Sequence, residues 1–138
     1  MTDNDYAAIT ELLQTAKTIA VVGLSSKTSR PSYGVAEMLQ ASGYRIVPVN
    51  PNESEILGEK CYATLRDIPE KIDIVDVFRR SEFVAELMDD VIRMHPRAIW
   101  MQEGVVDDAS AARARQAGIF VVMDLCVAVE IYKRRQSP

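Results

Sequence analysis

The chain is poor in the residues that usually build metal, disulfide and redox sites. It has one histidine, one tryptophan and two cysteines. Cys61 and Cys126 stand far apart and form no pair with metal-ligand or redox spacing, so no metal is expected. Two unpaired cysteines point to a reducing cytoplasm. No apolar run approaches the roughly 20 residues that a membrane span requires. The opening Met1-Thr2-Asp3-Asn4-Asp5 is acidic and lacks the basic start and apolar run of a signal peptide. An excess of positive charge is missing too. The net charge is −4, which disfavours nucleic acid or a membrane surface as a general partner. Internal repeats and low-complexity segments are not visible.

What is present is enough for one packed domain across residues 1–138, with 48% apolar residues. The pattern alternates helix and strand. A helix is expected from about Asp3 to Ala16, with Tyr6, Ile9, Leu13 and Ala16 on one face. Ile19-Ala20-Val21-Val22 reads as a strand buried on both faces. Pro31 suits the first position of a helix reaching Ser42 and closed by Gly43. Arg45–Val49 reads as a second strand, with Pro48 expected at its end, where pairing has stopped. Asn52–Lys71 is the least regular part, with a short helical turn near Thr64–Ile68. Ile72–Phe78, Ala98–Met101 and Ile119–Met123 complete five strands. Ser81 is a candidate cap for a helix with Val84, Leu87, Met88 and Val91 on its apolar stripe. Asp107 or Asp108 opens an alanine-rich helix closed by Gly118, and Cys126–Arg135 forms the last helix. Strands alternating with helices imply a doubly wound, Rossmann-like α/β sandwich with a parallel sheet. The expected strand order is 3-2-1-4-5, with the switch point between strands 1 and 4.

In such a sheet the ligand lies beyond the carboxyl ends of the strands. That selects Gly23–Pro31, Val49-Asn50-Pro51, Phe78-Arg79-Arg80 and Gln102-Glu103-Gly104. The first of these follows a strand and runs into a helix start. Free N–H groups and the positive dipole end there favour phosphate. Ser25, Ser26, Thr28 and Ser29 add hydroxyl donors, and Lys27 and Arg30 add charge. Gly23 alternatively serves only the turn, and Lys27 and Arg30 only the solvated surface. Arg79 is expected to face the cleft and Arg80 the solvent. The dinucleotide fingerprint G-x-G-x-x-G is not met: Ser25 and Thr28 replace its later glycines, and Asn50 stands where NAD binding wants an acid. No P-loop is present. NADP stays open through Lys27 or Arg30.

The motifs Val22-Gly23 with Ser29-Arg30-Pro31-Ser32, Gly43-Tyr44-Arg45-Ile46-Val47-Pro48-Val49-Asn50-Pro51, Asp73–Arg79, Trp100–Gly104 and Val122–Cys126 resemble the small single-domain CoA-binding proteins. These are similar to the CoA-binding domain of the succinyl-CoA synthetase α subunit. The resemblance runs from about Thr18 to Lys133. It implies coenzyme A, or an acyl-CoA, held across the carboxyl edge of the sheet. Gly23, Leu24, Ser25 and Ser26 would contact the pyrophosphate through backbone N–H groups, with Lys27, Ser29, Arg30 and Pro31 completing the loop. Val49, Asn50 and Pro51 would border the adenosine side. Phe78, Arg79, Gln102 and Gly104 would line the remaining groove. The family often has a basic residue between the Asp and Cys of its last motif, where this chain has Leu125.

No catalytic residue is expected. His95 stands before a proline at a helix end, Cys126 reads as a small buried residue, and no nucleophile has an evident base partner. Asp124 is a candidate cap for the last helix. The alternative readings are an NADP-dependent reductase or acyl-CoA enzyme, and a CoA-sensing partner subunit of a larger ligase. A homo-oligomer is a further expectation.

Overall fold

The computed structural model describes residues 5–136. Helix α1 (Tyr6–Thr15) is capped by Asp5, whose carboxylate accepts the Ala8 N–H at 2.9 Å. The expected start at Asp3 lies outside the described residues. Strand β1 (Thr18–Val22) and helix α2 (Pro31–Ala41) follow, with Pro31 in the first turn of α2. Next come β2 (Arg45–Val49) and a small hairpin, β3 (Glu55–Ile56) and β4 (Glu59–Lys60). Leu57 and Gly58 turn that hairpin, both with positive φ. It falls in the stretch expected to be irregular, and the expected helical turn there is a 3-10 turn at Leu65–Asp67. Then β5 (Ile74–Val77), α3 (Met88–Met94), β6 (Ala98–Met101), α4 (Asp108–Gln116), β7 (Phe120–Val122) and α5 (Val127–Gln136) complete the chain.

Strands β2-β1-β5-β6-β7 form one five-stranded sheet, parallel throughout. The Rossmann-like α/β architecture is as the sequence implies, but the expected strand order is not. Counting these five in chain order, the sheet runs 2-1-3-4-5, and the switch point lies between β1 and β5. The cause is visible beyond β2. The chain leaving β2 carries Tyr62 back along its outer edge. The Tyr62 N–H donates to the Pro48 carbonyl at 3.0 Å, and the Asn50 N–H donates to the Tyr62 carbonyl at 2.9 Å. That edge is therefore closed, and the third strand crosses to the other side of β1. Pro48 also differs from expectation. It sits inside β2, paired in register with Val21. It is tolerated because its nitrogen faces the outer side with its carbonyl, where no full ladder needs a donor.

Two apolar layers sandwich the sheet. On one face α1, α2 and α5 pack Ile9, Leu13, Leu39 and Ile131 onto Ile19, Val21, Ile74 and Trp100. On the other, α3 and α4 pack Met88, Val91, Ala111 and Ala114 onto Val22, Val75, Val77 and Ile99. No helix among the described residues is long and apolar enough to cross a membrane.

Ser81 departs from its expected role. Two 3-10 turns, Ser81–Phe83 and Ala85–Leu87, precede α3, and Ser81 caps neither. Its hydroxyl accepts the Val106 N–H at 2.9 Å and donates to the Gly104 carbonyl at 3.5 Å. The side chain thus ties the segment after β5 to the loop after β6. Asp107, by contrast, caps α4 by accepting the Ser110 N–H at 3.2 Å.

Candidate functional site

The carboxyl ends of β2, β1, β5 and β6 are neighbours, and they carry the segments singled out in the sequence. At the switch point, backbone approaches backbone. Gly23 has φ +84°, and a Cβ there would lie 2.2 Å from the Phe78 carbonyl oxygen. Only glycine fits. The Gly23 N–H donates to the Val49 carbonyl at 2.9 Å, and the Phe78 N–H to the Val22 carbonyl at 2.8 Å. Three strand ends are thereby stitched around one residue.

The loop from Gly23 to Pro31 is ordered by its own polar groups. The Ser25 N–H donates to Ser32 Oγ at 3.0 Å, and the Lys27 N–H to Ser25 Oγ at 3.1 Å. Ser32 is buried within the first turn of α2, so it anchors the loop to the helix start. Leu24 is fully buried beneath. Asn50 braces the loop from β2: its amide donates to the Leu24 carbonyl at 2.9 Å while its oxygen accepts the Asn52 N–H at 2.8 Å. Ser26 Oγ donates to Glu53 at 3.0 Å. Lys27, Ser29, Arg30 and Pro31 stay exposed. Arg30 is the residue before α2 and makes no side-chain cap there.

Two cavities flank Gly23. One, of about 370 Å³, is lined by Gly23, Ser25, Lys27, Arg30, Pro31, Ser32 and Phe78, and opens over the N-terminus of α2. The other, of about 530 Å³, extends over the ends of β1 and β2. Val49, Asn50 and Pro51 form one wall. Thr64, Leu65, Arg66, Leu87 and Asp90 form the other, and reading the sequence missed them. Their only signal was the short turn expected near Thr64. A separate cavity of about 350 Å³ sits at the opposite, amino end of the sheet, beside Lys17, Gly43, Tyr44 and Arg135. There Arg135 donates to the Ser42 carbonyl, a group at the C-terminal end of α2, so the charge answers a helix end.

Arg79 lines the larger cavity beside Gly23. Its Cδ would be 3.2 Å from a Cβ on Gly23. Its guanidinium turns outward, 3.3 Å from Glu86 and 5.0 Å from the centre of the Phe83 ring.

Gln102 is turned the other way. It is buried, and its amide donates to Asp76 at 2.5 Å. Asp76 occupies β5 between Val21 and Trp100 and is wholly buried, with its second carboxylate oxygen unpartnered. Burial pushes its carboxyl up to about 7, and the Gln102 bond opposes this only in part. An acid within the apolar run Ile74–Val77 was the sequence signal, and it passed unused. Gly104 lies on the surface with its N–H bonded to Asp124 at 2.7 Å. Asp124 therefore braces the loop after β6, from a left-handed backbone at φ +60°, rather than capping α5. Cys126 is half-buried, and Leu125 next to it takes the Trp100 indole N–H on its carbonyl at 2.8 Å.

The arrangement is an open mouth at a helix N-terminus, next to a larger cleft across two strand ends, with Gly23 lining both. Known proteins resemble the chain. The chain is 40% identical over 129 residues to the uncharacterized protein YneT of Bacillus subtilis, covering 94% of this chain and 96% of that one. It is 35% identical over 74 residues to acetate–CoA ligase [ADP-forming] II of Archaeoglobus fulgidus, covering 52% of this chain and 11% of the ligase. A solved structure of a hypothetical protein from Pyrococcus horikoshii superposes with a TM-score of 0.90 at 34% identity, covering 96% and 92% of the two chains. The model of one family, the CoA binding domain, matches residues 17–132. That span includes every strand of the sheet and the whole carboxyl edge, and the chain belongs to the CoA-binding domain family.

Proposed function

We propose that this protein binds coenzyme A or an acyl-CoA, with the pyrophosphate on the Gly23–Pro31 loop and the adenosine in the cleft beside Val49-Asn50-Pro51. The observation that carries this reading is the contact at Gly23. A residue with any side chain would collide with the Phe78 backbone, so only glycine lets the ends of β1 and β5 close up beside the α2 N-terminus. The groups that line that mouth suit a diphosphate: the hydroxyls of Ser25 and Ser32, and the charges of Lys27 and Arg30. The larger cavity, about 530 Å³, is of a size to hold a nucleoside. Phe78, Arg79 and Gly104 border the path from the diphosphate towards β6. Gln102 contributes from beneath, by holding the start of the 102–104 loop. The family and the ligase relatives supply the chemical identity of the ligand. We place the protein in a reducing compartment, in keeping with its two free cysteines.

Thermal unfolding with and without ligand tests the reading. A ligand at a hundred times its Kd adds about 2.7 kcal/mol of stability. CoA is expected to raise the melting temperature. Arg30→Ala is expected to shrink that rise, and Arg80→Ala to leave it. No rise at millimolar CoA contradicts the reading.

A further inference from the structure

The larger cavity carries two cations, Arg66 and Arg79, and two acids, Glu86 and Asp90. A cleft suited to a polyanion thus has no net formal charge. Each arginine touches one of these acids, Arg79 with Glu86 at 3.3 Å and Arg66 with Asp90 at 3.4 Å. The two pairs differ in kind. Asp90 is mostly buried and also faces Arg93 at 3.8 Å, so it is held from two sides. Glu86 is 58% exposed and Arg79 34%. They meet through one nitrogen and one oxygen. An exposed, single-contact pair is weak and readily exchanged.

The position of Arg79 gives that exchange a purpose. Its aliphatic stem lies against Gly23, beside the mouth. Its guanidinium points away, to Glu86 and the Phe83 ring. A phosphate at the mouth offers more charge than a carboxylate and accepts a guanidinium through two parallel hydrogen bonds.

We propose that Glu86 is a built-in competitor for the ligand: its carboxylate holds Arg79 turned away from Gly23, and a phosphate of the bound nucleotide takes over the guanidinium. Glu86 is a positioning residue that acts through Arg79. Freeing Arg79 from Glu86 costs the same whichever phosphate takes it over, so the exchange lowers affinity by one common factor for every ligand that recruits Arg79. This inference rests on the CoA reading above.

Calorimetric titration with CoA tests it, using the wild type, Glu86→Gln, Arg79→Ala and the double variant. Glu86 is exposed, and ligand-free melting checks that each variant folds. Glu86→Gln is expected to bind CoA about twofold to fivefold more tightly at low salt, the range that an exposed ion pair commands. Raising the salt is expected to erase the gain, because exposed charges are screened. Arg79→Ala is expected to bind more weakly than wild type, and the double variant to match Arg79→Ala. Unchanged or weaker binding by Glu86→Gln overturns the exchange, as does a gain that persists without Arg79. A wild type that ignores CoA overturns the underlying reading instead, so the two failures are distinguishable.

Discussion

The missing Cβ of Gly23 and the carbonyl oxygen of Phe78 occupy almost the same space. The separation would be 2.2 Å, against the backbone that directly follows the central strand, β5. A side chain at Gly23 would push β1 and β5 apart at the switch point, and the positive φ adds strain of its own. Gly23→Ala is therefore expected to cost about 2 kcal/mol or more. Chemical denaturation measures this. Wild-type stability in that variant would mean that the strand ends are looser than described.

Asp76 predicts an unusual dependence of stability on pH. Its folded-state pKa is raised to about 7 by burial, so the unfolded chain gives up this proton first. Below pH of about 4 the carboxyl is neutral in both states and costs nothing. Between about 4 and 7 the unfolded state ionises alone, and stability falls as pH rises. Above that window the loss is complete, of the order of 4 kcal/mol. Asp76→Asn cannot ionise and keeps the oxygen that accepts from Gln102. Its stability relative to wild type is expected to improve steadily from pH 4 to pH 8. Parallel curves for the two proteins would show that Asp76 does not titrate in this range.

Asn50 joins β2 to the phosphate loop by one hydrogen bond, to the Leu24 carbonyl, and accepts a second from Asn52 within its own turn. Asn50→Ala removes both, and a loss of about 1–2 kcal/mol is expected. The loop then loses its brace, so affinity for CoA is expected to fall several-fold in calorimetry. Unchanged stability together with unchanged affinity would contradict this role.

The five strands of the main sheet and most of the helices were legible in the sequence, but the β3–β4 hairpin, the two 3-10 turns before α3 and the order of strands in the sheet were not. Ile19–Val22 and Ala98–Met101 announce buried strands by their unbroken apolar runs, and Ile74–Val77 does so with one acid, Asp76, inside it. Pro31, Gly43 and Asp107 mark helix ends through local physics. Strand order depends on long-range pairing, which no local pattern encodes. Pro48 did carry a relevant signal, since a proline inside a strand belongs at an edge. The residue that closes that edge, Tyr62, lies in the segment with the weakest pattern. The site divides in the same way. Gly23, Asn50 and Arg79 were found because they follow strand ends. Arg66, Glu86 and Asp90 were missed because the return of the chain after β2 and the packing of α3 bring them to the cleft, and neither leaves a motif. Gln102 follows a strand end too, yet its side chain serves the buried Asp76.

The measurement that tests the account most directly is calorimetric titration of the ligand-free protein with CoA, and with NADP in parallel. The account predicts saturable binding of one CoA per chain and none of NADP. Uptake of NADP with indifference to CoA would contradict it, and would turn the same mouth over α2 into a site for a dinucleotide instead.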